Sequence, residues 1–312
     1  MSIGRDAAMA PMALPLCTLA PAKINLGLFV GATRPDGKHE LVSVMQPISL
    51  ADELTLESAS DGDEVVCPGV EGENLAARAI ELFRQATGWR DGSVRLHIDK
   101  RIPVAAGMAG GSADAGAALR LMQAAGGLGD TDLLLALAAE LGADVPAQVV
   151  PARTLASGAG ELLEPLPDPF SPVGVLVLPG AQGLSTADVF AQADRLRPPR
   201  DMRYLADRRE GLRSAFALAA PLPPPALLEN DLQQASQFLS ADVALALAQA
   251  LEAGAEHAFV SGSGPTVVGL FARANGPERA RRAAAALSGR VPAPIAAETV
   301  GAGFAAVQPL GA

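Results

Sequence analysis

Residues 103–116 read Pro-Val-Ala-Ala-Gly-Met-Ala-Gly-Gly-Ser-Ala-Asp-Ala-Gly, between a strand-like run and an Ala- and Leu-rich helical run. Gly107, Gly110 and Gly111 let the backbone approach a ligand closely. Ser112 suits the N-cap of the helix that follows. Free N–H groups at such a helix start, aided by its dipole, make an anion site. The chemistry suggested is a phosphate cradle; a ligand-free Gly-rich turn is the competing reading. No GxxxxGK[ST] segment occurs, and GxGxxG spacing is absent. Phosphates bound here would therefore rest on backbone amides. Two further residues add chemistry. Lys23 opens a strand in Ala-Pro-Ala-Lys-Ile-Asn, and Asp144 follows a helix in Leu-Gly-Ala-Asp-Val-Pro. A carboxylate beside an ammonium stays ionised and can accept a hydroxyl proton, and the ammonium puts positive charge near a transferring phosphoryl group. Alone, each also reads as an ordinary strand-end lysine or turn aspartate.

Periodicity places these residues on elements. Residues 22–31 alternate as a strand carrying Lys23 and Asn25. Residues 41–50 and 53–57 continue a β-rich opening after the turn Arg34-Pro-Asp-Gly37. Residues 74–87 form a helix stopped by Gly88. A strand at 93–99 enters the glycine loop, and a helix of about 112–124 leaves it. Residues 131–141 are helical, with Thr131 as cap and Gly142 beyond the end. Further on, residues 173–178 read as a buried strand and Ser185 begins a helix running to about 193. A helix at 241–254, strands at 257–260 and 266–271, and a helix at 277–288 follow. Strands and helices do not strictly alternate, so the fold class is α+β in two domains. Residues 1–19 are expected to be a flexible Ala/Pro tail, 20–168 an N-terminal domain and 169–312 a C-terminal domain, divided at the prolines around 165–172.

The 312 residues are 49% hydrophobic and 19% charged, enough apolar material for substantial cores. The formal net charge of −10 opposes nucleic-acid binding. No run has the length and apolarity of a membrane span, and the signal-like run at 7–20 is broken by Pro11 and Pro15. Cys17 and Cys67 form no CxxC pair, and His39, His97 and His257 have no zinc-ligand spacing. No metal cluster and a cytoplasmic, reducing location are expected.

Three segments together resemble motifs of the GHMP kinase superfamily, kinases of galactose, homoserine, mevalonate and related alcohols. Residues 21–26 resemble its first motif, 103–115 its ATP-binding loop, and Ser261-Gly-Ser-Gly-Pro-Thr266 its third, in the family's order. Within the superfamily, Arg34-Pro-Asp-Gly-Lys-His-Glu-Leu41, Leu141-Gly-Ala-Asp-Val-Pro146 and Gly158-Ala-Gly-Glu161 resemble the branch acting in non-mevalonate isoprenoid synthesis. That branch phosphorylates the 2-hydroxyl of a cytidine diphosphate-linked methylerythritol. The resemblance implies a β-rich N-terminal domain and a ferredoxin-like C-terminal domain with the site between them. It implies ATP as co-substrate with Mg²⁺, and a small-molecule substrate with neither nucleic acid nor membrane. It makes Lys23 and Asp144 catalytic. It gives ATP to Pro103, Val104, Ala105, Ala106, Gly107, Met108, Ala109, Gly110, Gly111, Ser112 and Ala113, with Asn74 and Lys100 nearby. It gives the substrate to Asn25, His39, Phe190, Gly262 and Ser263, His39 bonding the cytosine. The chain departs from the pattern at Lys38, where an aromatic residue usually stacks on the base, at Met108 and Ala109, and at Ala113, where a second serine is usual. A kinase of another alcohol, or a nucleotide-binding protein without kinase activity, are the alternatives.

Overall fold

The computed structural model describes residues 10–104 and 106–311. Two long strands, β1 (Leu16–Thr33) and β2 (His39–Ala59), form an antiparallel ribbon. Its pairing runs from Leu16 opposite Leu56 to Thr33 opposite His39, with shifts between Pro21 and Lys23 and between Asn25 and Leu28. Such irregularities re-aim side chains beside a functional site; here they flank Lys23 and Asn25. The expected tail is shorter than 19 residues. Leu16 is wholly buried, the Thr18 hydroxyl donates to the Ala305 carbonyl at 2.8 Å, and the Met12 N–H donates to the Ala124 carbonyl at 2.8 Å. Residues 16–19 thus belong to the core strand. Residues 1–9 of that expected tail lie outside the described residues.

The first sheet adds β3 (Glu64–Val66), β4 (Ser93–Asp99), β5 (Thr154–Gly158), β6 (Leu162–Pro165) and β11 (Gln308–Pro309). Its order is β11-β1-β2-β4-β3, with β5 paired to β2 and β6 to β5. Helices α1 (Leu75–Thr87), α2 (Gly110–Gly126), α3 (Thr131–Leu141) and α4 (Pro146–Val149) accompany it. Gly88 ends α1 in the left-handed region, as the sequence predicts, while Asn74, expected inside the helix, instead caps it through the Ala76 N–H. In α3 the cap is Asp130 rather than Thr131, because its carboxylate reaches the Leu133 N–H at 2.9 Å. Pro146 does not merely end a helix; it opens α4.

The second sheet holds β7 (Gly174–Leu178), β8 (His257–Val260), β9 (Val267–Phe271) and β10 (Ile295–Glu298) in the order β10-β7-β9-β8, all antiparallel. Helix α8 (Ala241–Glu252) lies between β7 and β8 in the chain, and α9 (Gly276–Ala286) between β9 and β10. This is the strand order of a ferredoxin-like half. Helices α5 (Thr186–Leu196), α6 (Met202–Phe216) and α7 (Gln233–Leu239) fill the excursion after β7; α7 has no counterpart among the predicted elements.

The division at 168/169 is crossed repeatedly. β11 pairs with β1, and α6 buries Leu205, Leu212 and Phe216 in a core shared with Phe29, Val42, Val175 and Leu270. Arg153 is fully buried, its guanidinium donating to Gln46 Oε1 at 2.6 Å and to the Ala220 and Pro221 carbonyls at 2.6 and 3.1 Å. Burial pushes its pKa down to about 10, so it stays charged at neutral pH. Among the described residues, no helix is long and apolar enough to cross a membrane.

Helix α2 is buried on nearly every side. At Gly116 an added Cβ would lie 2.5 Å from the Gln148 carbonyl oxygen of α4. Alanine in a helix interior normally adds up to about 1 kcal/mol over glycine. Here the clash should reverse the sign, so Gly116→Ala should lower stability by about 1–3 kcal/mol. Urea unfolding measures it; unchanged or raised stability would show that the α2–α4 contact yields freely.

Candidate active site

Residues 100–109 connect β4 to α2 in the chain. Ala109, with φ 57° and ψ 34°, turns the backbone into the helix, so α2 begins at Gly110. Ser112 is therefore the third helical residue and not the cap. The first intrahelical bond runs from the Ala113 N–H to the Ala109 carbonyl at 2.9 Å. The N–H groups of Gly110, Gly111 and Ser112 lie ahead of that bond and point out of the helix end. A helix start of this kind can hold an anion, and it lies nearer the N-terminus than the sequence suggests.

The loop is braced by the turn between β8 and β9. Gly107 has φ +71°, and a Cβ there would stand 2.7 and 2.8 Å from the carbonyl oxygens of Ser261 and Gly264. The Ser261 hydroxyl donates to the Gly107 carbonyl at 3.3 Å. Asn230 holds the turn from behind, its amide donating to the Val260 and Gly262 carbonyls at 2.7 and 2.8 Å. Lys23 joins the same assembly, its N–H donating to the Met108 carbonyl at 3.2 Å.

Two cavities open beside this junction, and Gly107 and Ala109 line both. The first, about 350 Å³, is walled by Asn74, Lys100, Pro103, Val104, Met108 and Asp114, among others. The second, about 440 Å³, is lined by Lys23, Asn25, Ser112, Asp144, Phe190 and Ser263, with Gly262 at its edge. Lys23 is buried; its ammonium donates to Asn25 Oδ1 at 3.0 Å and lies 3.8 Å from Asp144 Oδ2. Asn25 is fixed in turn by donating to the Ser43 hydroxyl at 2.7 Å. A buried ammonium thus faces a half-exposed carboxylate across the floor of the second cavity. Two more predicted segments meet beside a separate cavity lined by Arg34 and Glu161, while Ala159 and Gly160 of the latter segment line the second cavity. Arg34 donates to Glu161 at 2.6 Å, and the same carboxylate accepts the Ala159 N–H at 2.6 Å. Burial opposes its ionisation, but these bonds prevail and hold Glu161 below the ordinary carboxylate range.

Several predicted site residues stand differently from expectation. Ala113 is buried and lines neither cavity, so the departure from serine there falls on the helix core. Ser112 faces the second cavity, not the first. Ala105 lies outside the described residues. His39 does not line the second cavity; its Nε2 lies 3.1 Å from both Asp194 carboxylate oxygens, and its ring packs 4.8 Å from Phe190, which does line it. Lys38 is exposed.

Lys100 lines the first cavity, but its ammonium is already paired, donating to Asp52 Oδ2 at 2.5 Å and Asp114 Oδ2 at 2.7 Å. Asp52 Oδ1 also accepts the Arg101 and Ile102 N–H groups, which fixes the entry to the loop. Burial works against the charged amine, but the two carboxylates outweigh it and raise the Lys100 pKa. At Asp114 burial prevails instead: it raises the pKa to about 7, Lys100 opposes the rise, and Asp52 adds to it. Its Oδ1 is buried without a partner. Sequence reasoning missed this cluster, because Asp52 is far from Lys100 in the chain and β2–β4 pairing alone joins them.

The ferredoxin-like half, the glycine loop and the paired cavities define a small-molecule kinase of the GHMP class. Family models agree: the GHMP kinases N terminal domain matches residues 74–151 and the GHMP kinases C terminal domain residues 224–291. A 4-diphosphocytidyl-2-C-methyl-D-erythritol kinase of Streptomyces coelicolor is 42% identical over 265 residues, 80% of this chain and 85% of the relative. One from a Synechococcus species is 41% identical over 267 residues, covering 81% and 85%. A crystal structure of 4-(cytidine 5'-diphospho)-2C-methyl-D-erythritol kinase superposes with a TM-score of 0.74 at 36% identity, covering 91% of this chain and 99% of that one. Homoserine kinase from Cytophaga hutchinsonii, 17% identical with a TM-score of 0.72 over 97% of this chain and 100% of its own, shares the fold. The chain belongs to the family of 4-diphosphocytidyl-2-C-methyl-D-erythritol kinases.

The Asp114 carboxyl carries a pH signature. Its pKa is raised from 3.8 to about 7, so the native state holds a proton that the unfolded chain has released across that window. The stabilisation is present at low pH and lost as pH rises through about 7. The Tm of wild type relative to Asp114→Asn should therefore fall from pH 5 to pH 8. Parallel Tm profiles across that range would contradict the assignment.

Proposed function

We propose that the protein transfers the γ-phosphoryl group of ATP to the 2-hydroxyl of 4-diphosphocytidyl-2-C-methyl-D-erythritol. The observation that carries this reading is the Lys23–Asp144 pair, 3.8 Å apart on the floor of a cavity bordered by the glycine loop. ATP fits the first cavity, with its phosphates passing over the free N–H groups of Gly110, Gly111 and Ser112. The acceptor fits the second cavity. Its 2-hydroxyl lies between Lys23 and Asp144; Asp144 accepts the proton as the oxygen attacks, and Lys23 offsets the growing charge on the phosphoryl oxygens. Asn25 and Ser43 keep the ammonium in place. The 261–264 turn closes the far side, where the Ser263 and Thr186 hydroxyls share a bond at 3.0 Å.

Magnesium in this reading arrives with the nucleotide. Among the described residues, no group of three His, Cys, Asp or Glu side chains converges on one point. The Ser112 hydroxyl is the hard oxygen beside the cradle, which fits an ion held mainly by phosphates and water. The ion would neutralise charge on the transferring phosphates.

The isoprenoid substrate, rather than another alcohol, is supported by the relatives. Lys38, exposed and without a stacking face, favours a second reading in which the acceptor lacks the cytidine. Coupled ADP release separates the two. The cytidine-linked methylerythritol should be turned over, whereas homoserine, mevalonate and galactose should not; equal rates on these simple alcohols would reject the leading reading. Asp144→Asn should lower kcat by about 10²–10⁴-fold, the usual range for a lost general base. A kcat within a few-fold of wild type would remove Asp144 from that role.

A further inference from the structure

The turn joining β5 to β6 is a thin partition. Ala159 and Gly160 line the acceptor cavity, whereas Ser157, Gly158 and Glu161 line a separate cavity of about 530 Å³ whose walls include Met202 and Leu205 of α6. Leu41 of β2, paired with Gly158, borders both spaces. A turn with open space on each face lacks the close packing that fixes backbone elsewhere in a protein interior.

Charge holds it instead. Arg34, in the turn between β1 and β2, donates to Glu161 Oε1 at 2.6 Å, and Glu161 Oε2 accepts the Ala159 N–H at 2.6 Å. One carboxylate therefore closes its own turn and ties that turn to another part of the chain. An added Cβ at Gly158 would stand 2.7 Å from Glu161 Oε1, so the side chain folds back over a glycine. Asp36 and Glu40 also lie near the guanidinium, at 3.3 and 3.9 Å, but Glu161 makes the shortest contact. Arg34 is anchored by its own backbone, its N–H donating to the Lys38 carbonyl at 2.6 Å and its carbonyl accepting the Gly37 N–H at 3.0 Å.

The turn also touches the segment that carries Asp144. A Cβ on Gly160 would lie 3.8 Å from the Ala143 carbonyl oxygen and 4.0 Å from Met45 Cε, which is ordinary van der Waals contact. Ala143, Asp144 and Met45 line the acceptor cavity with it. The first cavity includes no residue of either turn.

We propose that the Arg34–Glu161 bridge is a positioning device: it holds Ala159 and Gly160 as a wall of the acceptor cavity beside Ala143 and Asp144, and so sets the affinity for the acceptor but not for ATP. The inference rests on the reading of the second cavity as the acceptor site, and adds to it two residues that shape that site from outside. Neither Arg34 nor Glu161 lines the acceptor cavity; both act through the turn.

Steady-state kinetics with ATP and the cytidine-linked methylerythritol provides the test. Arg34→Met should raise the acceptor KM about three- to tenfold, the scale of a half-exposed charge-assisted bond, while kcat and the ATP KM stay near wild type. Glu161→Gln should act in the same way. The double variant should be no worse than the poorer single variant, because both changes remove one bridge. Arg34→Lys, which can remake a single charged bond, should restore most of the lost affinity. An unchanged acceptor KM in both single variants would overturn the proposal. So would acceptor KM, ATP KM and kcat worsening together with a fall in Tm, the pattern of a merely structural loss. Should the variants fail to fold, hydrogen exchange of the wild-type protein decides. The acceptor should slow exchange across residues 158–161, and ATP alone should not. Equal protection by the two ligands, or none by the acceptor, would refute it. Absence of turnover of the cytidine-linked substrate by wild type would instead reject the reading of the acceptor site itself.

Discussion

Gly107 presses its bare α-carbon against the Ser261 and Gly264 carbonyls, and the two cavities depend on that contact. A side chain at 107 would push the glycine loop away from the 261–264 turn. The loop starts helix α2 and lies between the strands of one half, while the turn joins two strands of the other. Their contact sets the distance between the anion cradle and the acceptor side. Lys23 is tied to the same point through its N–H to Met108, so the ammonium, the cradle and the turn move as one body.

Around this junction the fold separates two electrostatic tasks. On the acceptor side, Lys23 keeps one half-exposed carboxylate partner, Asp144, and an amide, Asn25. The pair remains open to a hydroxyl entering between its members. On the nucleotide side, Lys100 is enclosed by Asp52 and Asp114 and is spent on holding the loop entry. Two lysines that look alike in sequence are thus divided by their carboxylate partners. In the proposed function the phosphates meet backbone amides, which cost little reorganisation when charge develops.

Much of this was legible in the sequence, for physical reasons that can be named. Local signals worked where local rules govern. Gly88 ends α1, Ser185 caps α5, and alternation marks the strand bearing Lys23. Motif order brought Lys23, Asp144 and the two loops together, and the structure joins them around one junction. What stayed hidden depends on contacts distant in sequence. Ser112 looks like a cap, but Ala109 takes the left-handed turn and begins the helix earlier. Leu16 reads as tail until β2 and β11 pair around it. Arg153 carries no motif, but it fastens the two halves through carbonyls beyond residue 219.

The central claim is that Lys23 and Asp144 act as a unit on one hydroxyl. Residues that act as a unit are non-additive when removed. A double-mutant cycle of Lys23→Met and Asp144→Asn, read as kcat with ATP and the cytidine-linked methylerythritol, tests this directly. The account predicts that the double variant is little slower than the slower single variant. Losses that multiply across the two substitutions would contradict it and show that the two side chains serve separate steps.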